Sequence, residues 1–366
     1  MNKCLILGGY GNFGSIISEE LARASLSIII AGRDINQANN YADALSKKYS
    51  NAHIESLCLD VNKDFAENLV KIKPFIVINT CGPFQAQDYS IAEACIKSSV
   101  HYIDLADARD FVNNITELDR AAKNNNCLVV SGASTVPCLT AAVLDNYKEQ
   151  FSVINSLVYG ITPGQDAPRG LATTQSILSY VGKPLKPFAG GNEQVFGWQN
   201  IYRQMYPVIG TRWMANCDIP DLDLLPKLYN IKSIRFSAGM ESWVIHLGIW
   251  LLSWFVRLGL PLNLAKHAKF LLKLSKFFDW LGTDKGGMHM IIKGNDKSGK
   301  PLEVKWFIIA TRGDGPHIPT APAIILTKKL YQDQIKTRGA GPCIGMISLQ
   351  EYLDELKNYS IKVFDC

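Results

Sequence analysis

Short apolar runs alternate with amphipathic stretches over the first third of the chain. Apolar runs without polar alternation predict strands buried on both faces, and apolar residues three and four positions apart predict the helices between them. The predicted strands are 3–7, 27–31, 54–59, 75–79, 100–104 and 127–131, and the predicted helices are 15–22, 36–48, 64–72 and 90–97. This alternation predicts an α/β protein whose N-terminal domain, residues 1–135, is a Rossmann domain with a doubly wound parallel sheet.

The pattern changes in the second half of the chain. Strands are predicted at 151–162, 232–239, 288–294 and 303–312, with a helix at 171–181. A polar hairpin loop joins the last two strands, which favours antiparallel pairing. Residues 136–325 are therefore predicted to form an α+β substrate domain with a mixed or antiparallel sheet. An amphipathic helix at 349–356 predicts that the C-terminal segment, 326–366, packs back on the first domain.

An apolar helical insert, residues 240–282, interrupts the second domain. Residues 243–262 contain only His246 and Arg257 as ionisable groups, and a proline ends the apolar stretch. The next helix carries lysines on one stripe and apolar side chains opposite: Lys266, Lys269, Lys273 and Lys276 against Leu264, Leu271, Leu274 and Phe278. Three alternatives stay open: packing on the domain, contact with a membrane surface through residues 243–281, or a membrane-spanning helix.

Composition narrows the function classes. The 366 residues correspond to about two domains, and 38 Lys and Arg against 33 Asp and Glu leave a charge of +5, too small and dispersed to indicate a nucleic-acid partner. The nine cysteines lack any C-x-x-C pair, so we expect reduced core cysteines, no disulfide framework and no metal site. The N-terminal apolar run is too short for a signal peptide, which predicts a cytoplasmic protein, peripheral to a membrane if the insert contacts lipid.

A glycine motif directly follows the first predicted strand. Its residues are Gly9, Tyr10, Gly11, Asn12, Phe13 and Gly14, and a helical pattern begins immediately afterwards. Glycines in this spacing permit a tight turn, close approach of a pyrophosphate to backbone N–H groups, and close packing of helix on strand. The context of strand, glycine loop and helix predicts a dinucleotide-binding site.

Two charged residues bear on the choice of cofactor. Arg33 follows the second predicted strand, where NAD-binding sites commonly place a carboxylate. A guanidinium there would bind a 2′-phosphate, so NADP(H) is favoured over NAD(H). The alternative is that Arg33 is solvated and Asp34 binds the ribose. Asp60, after the third strand, would either lie near the adenine or cap the next helix.

The carboxyl ends of the later strands predict where substrate would meet cofactor. The loop Cys81, Gly82, Pro83 and Phe84 follows the fourth strand, at the edge where a nicotinamide is expected. Around the fifth strand lie four candidate proton carriers: His101, Tyr102, Asp104 and Asp107. In the second domain, Arg169 precedes a helix and has Thr173 as a neighbour, so it would either bind a substrate anion or be solvated.

The chain resembles the saccharopine dehydrogenase-like family of NAD(P)-binding oxidoreductases. The resemblance rests on the glycine motif, on the blocks 79–84 and 92–104, and on two later segments, 168–173 and 315–323, so it covers most of the chain. It implies an NADP(H)-dependent oxidoreductase that holds a small-molecule substrate between its two domains.

Function is therefore expected to be hydride transfer to or from an anionic or lipid-like substrate. The alternative is a membrane-associated protein that binds NADP(H) without turnover. A homodimer is compatible with the sequence.

Overall fold

A computed structural model describes residues 2–63, 65–190 and 194–365. Asp64, predicted to begin a helix, and Cys366 lie outside the described residues. The strands are β1 (Lys3–Leu7), β2 (Ser27–Gly32), β3 (Ile54–Cys58), β4 (Ile76–Asn79), β5 (His101–Asp104), β6 (Leu128–Ser131), β7 (Phe151–Thr162), β8 (Tyr202–Tyr206), β9 (Gly210–Asn216), β10 (Ser233–Met240), β11 (Gly286–Asp296), β12 (Pro301–Ala310), β13 (Gly339–Pro342) and β14 (Ile361–Asp365).

The α-helices are α1 (Asn12–Arg23), α2 (Ile35–Lys48), α3 (Phe65–Ile72), α4 (Ser90–Lys97), α5 (Arg109–Asn114), α6 (Asp119–Asn124), α7 (Thr140–Tyr147), α8 (Leu171–Tyr180), α9 (Asp221–Tyr229), α10 (Trp243–Arg257), α11 (Ala268–Lys276), α12 (His317–Tyr331) and α13 (Leu349–Leu356). Short 3₁₀ helices lie at Ile115–Leu118, Lys148–Gln150, Leu264–His267 and Asp279–Leu281.

The first unit of the structure comprises residues 1–142 and 317–355. Among its described residues, seven strands form one sheet in the order β13-β6-β5-β4-β1-β2-β3, and every pairing is parallel. The central strands are buried on both faces, because helices cover a parallel sheet on each side. This confirms the predicted doubly wound Rossmann sheet.

The second unit comprises residues 143–316 and 356–366. Its described strands form a seven-stranded sheet in the order β14-β12-β11-β7-β10-β9-β8. Strands β7 and β10 are parallel and the other pairs are antiparallel, which confirms the predicted mixed sheet. The hairpin of β11 and β12 forms where the polar loop predicted it.

The unit boundaries differ from the predicted ones at the C-terminal end. The sequence places residues 317–325 in the second domain and 326–331 in the C-terminal segment, but together they form α12, which packs against α1 in the first unit. The predicted segment 326–366 is divided: β13 adds a parallel strand beside β6, whereas β14 pairs with β12 in the other sheet. Each of these strands supplies hydrogen-bond partners to the N–H and C=O groups of an edge strand. The paired residues are far apart in the chain, so this pairing has no local sequence pattern.

The spanning alternative for the insert is wrong. Helix α10 has 15 residues, so it is about 22 Å long, short of the roughly 30 Å hydrocarbon core of a bilayer. No helix within the described residues has both the length and the apolar character to cross a membrane.

Candidate functional site

The glycine loop joins β1 to the amino end of α1. Gly11 is the N-cap, with extended φ and ψ of −78° and 178°, and no side chain caps the helix. The first turn also contains no acidic residue. The helix therefore presents backbone N–H groups and the positive end of its dipole, which suit a pyrophosphate.

The glycines of the motif have different structural roles. A Cβ on Gly14 would lie 2.1 Å from the Gly8 carbonyl oxygen, so this position requires glycine for helix and strand to pack. A Cβ on Gly11 would meet only that same oxygen, at 3.1 Å, and Gly11 is exposed. Gly11 therefore leaves open the space that a pyrophosphate needs, and the loop fits a dinucleotide.

Tyr10 fixes the end of β2 beside the glycine loop. Its hydroxyl accepts a hydrogen bond from the Asp34 N–H at 3.0 Å. Its ring lies over Gly32 so closely that a Cβ there would be 2.3 Å from a ring carbon. The contact places the next residue, Arg33, at the tip of β2, where its side chain is exposed.

Asp34 is used as the N-cap of α2. Its Oδ1 accepts from the N–H groups of Asn36 and Gln37, and its Oδ2 accepts from Gln37 Nε2 at 2.8 Å. The hydrogen bonds from Gln37 lower the pKa of the Asp34 carboxyl. Both oxygens are therefore engaged within α2, which favours Arg33 over Asp34 as the group facing the ribose end of a cofactor.

Asp60 also acts within its own turn. Its Oδ1 accepts from the Asn62 N–H at 3.1 Å, and Lys63 lies 3.6 Å from its carboxylate. These contacts lie in the turn before α3, which begins at Phe65, so Asp60 does not cap that helix and its place near the adenine stays a prediction.

Strand register brings several candidates to one edge of the parallel sheet. Leu7 pairs with Asn79, and Asn79 pairs with Asp104, so the ends of β1, β4 and β5 are level. The loops that follow these ends are the glycine loop, residues 80–84 and residues 105–108. The carboxyl edge of a doubly wound sheet is where ligands bind.

The loop after β4 is shaped by polar side chains that sequence reasoning did not select. Asn79 Oδ1 accepts from the Cys81 N–H at 3.0 Å, and Thr80 Oγ1 donates to the Leu7 carbonyl at 2.7 Å. Gln87 Nε2 donates to the carbonyls of Cys81 and Pro83. The sequence signal that could have identified Asn79 is a polar residue at the end of a strand that is wholly buried.

The side chains of two cofactor candidates in this loop, Cys81 and Phe84, have well-defined surroundings. Phe84 is buried and packs against Phe111, with ring centroids 5.3 Å apart, so its ring belongs to the core rather than to a cofactor surface. Burial raises the pKa of the Cys81 thiol to about 11, although the Arg33 guanidinium acts in the opposite direction. Cys81 is therefore a neutral thiol at neutral pH. Gly82 and Pro83 are half-buried in the same loop.

The prediction of His101 as a proton carrier is wrong. His101 begins β5 and pairs with Ile76, so it lies three residues, or about 10 Å, from the carboxyl end of the strand. Its Nδ1 accepts from the Leu128 N–H at 2.9 Å, and its ring packs on Phe75. Burial lowers the pKa of His101 to about 4, which is consistent with a neutral core histidine.

Tyr102 is likewise a core residue. Its side chain is 1% exposed, and its hydroxyl accepts from Asn79 Nδ2 at 3.1 Å. Burial raises the pKa of Tyr102 well above its ordinary value. Tyr102 belongs to the apolar core cluster, which favours a structural role for this residue.

Asp104 and Asp107 remain at the carboxyl edge. Asp104 is buried, and its Oδ1 accepts from the N–H groups of Ala106 and Gly132 and from Ser131 Oγ. These bonds join the loops after β5 and β6. Asp107 lies in the loop after β5, is half-buried, and accepts from Gln85 Nε2 at 3.1 Å.

Asp104 has a testable effect on stability. Burial raises the pKa of Asp104 to about 6, so between about pH 4 and pH 6 the folded chain binds more protons than the unfolded chain. The contribution of this group therefore becomes less favourable as pH rises through that interval. Asp104→Asn keeps the acceptor oxygen without the charge. Its stability relative to wild type should rise by about 2 to 3 kcal/mol between pH 4 and pH 7.

Denaturant unfolding of both proteins at a series of pH values measures this difference. Asp34→Asn is the control, because the pKa of Asp34 is lowered rather than raised and the variant should show no such gain. If the stability difference between Asp104→Asn and the wild type does not change with pH, the raised pKa of Asp104 is contradicted.

Arg169 does not face a free anion site. Its guanidinium pairs with Asp279 and donates to Ser275 Oγ at 3.1 Å, within the second unit. Gln165 Nε2 donates to the same aspartate at 3.0 Å. Arg169 therefore binds a carboxylate of this chain, Asp279 after α11, where a substrate anion was predicted. Thr173 is exposed in the first turn of α8.

A buried carboxylate that sequence reasoning missed lies at the root of the insert. Glu241 Oε1 accepts from Arg212 at 2.9 Å and from Thr283 Oγ1 at 2.7 Å. Its Oε2 accepts from the N–H groups of Gln165 and Thr283, each at 2.8 Å. Because Glu241 precedes α10 and Thr283 follows the last turn of the insert, one carboxylate holds both ends of the insert together.

Comparisons with known proteins agree with this architecture. Residues 4–130 match the family model of the saccharopine dehydrogenase NADP-binding domain. The whole chain aligns with the whole of an apo saccharopine dehydrogenase (L-Glu forming) from Saccharomyces cerevisiae, at 13% identity and a TM-score of 0.65. An amine dehydrogenase from Mycobacterium smegmatis aligns over 93% of this chain and 94% of its own, at 13% identity and a TM-score of 0.48. No curated protein sequence matches significantly. Residues 4–130 are therefore similar to the saccharopine dehydrogenase NADP-binding domain, and the chain as a whole shares the fold of the yeast saccharopine dehydrogenase.

Proposed function

We propose that the protein is an NADP(H)-dependent oxidoreductase. The observation that carries this proposal is the combination of an uncapped α1, an open Gly11 and an exposed Arg33, while Asp34 is occupied as a helix cap. The N–H groups of the loop would hold the pyrophosphate, and Arg33 would hold the 2′-phosphate. The match of residues 4–130 to the family model of an NADP-binding domain supports the same choice.

A bound NADPH would supply a hydride at the carboxyl edge of the sheet. Of the four predicted proton carriers, Asp107 is the one whose side chain is both at this edge and partly exposed. We assign it the proton that balances the hydride, which goes to the heteroatom of a ketone or imine or to the α-carbon of an enoyl group. Asp104 acts as a positioning residue, because its three accepted hydrogen bonds hold the loops that follow β5 and β6.

Of the two substrate classes, a lipid-like substrate is favoured over an anionic one. The anionic alternative depended on Arg169, whose charge is neutralised by Asp279 in its own unit. Oxidation of NADPH, followed by its absorbance, tests enoyl lipids and long-chain ketones against amino-acid-derived imines. Asp107→Asn should abolish turnover while NADPH still binds.

The alternative function is binding of NADP(H) without turnover. Asp104 is buried and Tyr102 is a core residue, which leaves few groups for proton transfer. Tight NADPH binding with no oxidation by any of these substrates would favour this alternative, whereas turnover that depends on Asp107 would exclude it.

Selectivity between the two cofactors is expected to depend on Arg33. Arg33→Gln should weaken NADPH binding about tenfold, because one charge-assisted contact with a phosphate is lost, and should leave NADH binding unchanged. Fluorescence titration gives both dissociation constants. Lys47→Gln, an exposed cation on α2, is the matched control. Tighter binding of NADH than NADPH by the wild-type protein would overturn the proposal.

A further inference from the structure

Within the insert, residues 243–281 expose an unusual amount of apolar surface. Among the described residues, twelve of the eighteen large hydrophobic side chains that are exposed lie between positions 243 and 280. They are Trp243, Val244, Leu251, Trp254, Phe255, Leu258, Leu260, Leu262, Phe270, Leu274, Phe277 and Trp280. Isolated exposed hydrophobic residues are ordinary, but a concentration of this kind marks a surface that is covered in use.

Helix α10 is oriented with its polar residues inward. The residues fully buried in α10 are His246 and Ser253, seven positions apart and therefore on one face. Ser253 Oγ donates to the Trp250 carbonyl, and burial lowers the pKa of His246 to about 4. Leu251 and Phe255 lie on the opposite face, and both are exposed. Ile249, Trp250, Leu252 and Val256 of the same helix are partly buried against the domain core, so α10 packs on the domain with one side and exposes apolar residues on the other.

The segment 264–277, which includes α11, is partly packed on the second unit and partly exposed. Leu264 and Ala268 are buried against the second unit, so part of the amphipathic pattern does serve packing. Phe270, Leu274 and Phe277, spaced four and three apart, are instead exposed. The four lysines of the insert, Lys266, Lys269, Lys273 and Lys276, are exposed next to them.

The charge of this surface identifies the partner. Residues 243–281 contain Arg257 and four lysines against one acid, Asp279, and that acid is neutralised by Arg169. Lysines beside exposed aromatic and leucine side chains suit the interface of an anionic bilayer, where the apolar groups enter the acyl boundary and the ammonium groups meet phosphates. A second copy of this chain would bring like charges together.

The base of the insert is rigid enough to act as a docking element. Glu241 holds its two ends through Arg212, Gln165 and Thr283, and Arg169 with Asp279 holds the segment after α11. These contacts hold the ends of the segment that carries the exposed apolar residues.

We propose that residues 243–281 dock the protein on the surface of an anionic phospholipid bilayer without crossing it. The full-length protein should float with vesicles of phosphatidylcholine and phosphatidylglycerol mixed two to one. Binding should be weaker at high salt and on pure phosphatidylcholine. Failure of the wild-type protein to bind the anionic vesicles would overturn the proposal.

Two variants test the parts of the surface. Lys269→Gln with Lys273→Gln should lower vesicle affinity by roughly 25-fold, about fivefold for each lysine. Leu258→Ser with Phe277→Ser and Trp280→Ser should abolish binding, because these side chains are 75% exposed or more and contribute little to folding. Unchanged binding of either variant would contradict the proposal.

Matched controls come from surfaces remote from the insert in the sequence. Lys297→Gln with Lys300→Gln removes two exposed lysines from the β11–β12 hairpin, and Val70→Ser with Leu228→Ser removes two exposed apolar side chains. Both should bind vesicles as the wild type does. NADPH titration of every variant separates this proposal from the cofactor site, which uses other residues. A dimer that the Leu258, Phe277 and Trp280 changes dissociate, without vesicle binding, would assign the surface to a second copy instead.

Discussion

Gly11→Val is expected to weaken NADPH binding roughly a thousandfold while the protein still folds. Valine can adopt the φ and ψ angles of Gly11, and the Cβ of the valine would meet one backbone oxygen at 3.1 Å. The branched side chain would occupy the space above the amino end of α1. Losing two charge-assisted hydrogen bonds of about 2 kcal/mol each accounts for the expected factor. Fluorescence titration with NADPH measures it.

Gly14→Val supplies the contrast for this experiment. Its Cβ would overlap the Gly8 carbonyl, so the expected result is a loss of thermal stability rather than a selective loss of binding. Unchanged NADPH affinity in Gly11→Val would remove the glycine loop from the cofactor site.

Glu241→Ala is expected to destabilise the second unit by about 3 to 5 kcal/mol. Glu241 and Arg212 are only 10% and 11% exposed, and removing the carboxylate leaves a buried guanidinium and three further donors without their acceptor. Denaturant unfolding followed by tryptophan fluorescence measures the effect, because all seven tryptophans lie within residues 143–316 of the second unit.

A double-mutant cycle separates this pair from its surroundings. Arg212→Met in the Glu241→Ala background removes the stranded charge, so the double variant should be more stable than the sum of the single effects predicts. Glu303→Ala is the control, because Glu303 pairs with Lys293 and Lys305 on an exposed part of β12 and should cost under about 1 kcal/mol. Additive effects in the cycle would contradict the role assigned to Glu241.

Local sequence patterns were sufficient for the elements of the parallel sheet. The strands β1, β2 and β4 each contain at least three successive apolar residues, at 4–7, 28–31 and 76–78, and the glycine motif lies between β1 and α1 as predicted. These features depend on interactions within a few residues, namely strand burial, turn geometry and helix periodicity. The cofactor side of the site was therefore accessible from sequence.

The substrate side of the site could be predicted less well from sequence, because the type of a residue does not specify which group its side chain contacts. His101 and Tyr102 have the chemistry of proton carriers, but strand register places one at the far end of β5 and buries the other. Arg169 has the chemistry of an anion receptor, yet its anion is Asp279, 110 residues later in the chain. Such pairings depend on the tertiary fold.

The sequence by itself determined the Rossmann sheet, the position of the glycine loop and the apolar character of the insert, because each follows from local periodicity and composition. Only the tertiary structure decided that β13 and β14 belong to different sheets and that α10 turns its polar residues inward. Periodicity defines which residues share a helix face. Which face is buried depends on what packs against it, here Trp198, whose indole donates to the His246 carbonyl, and Gln199, which donates to Ser253.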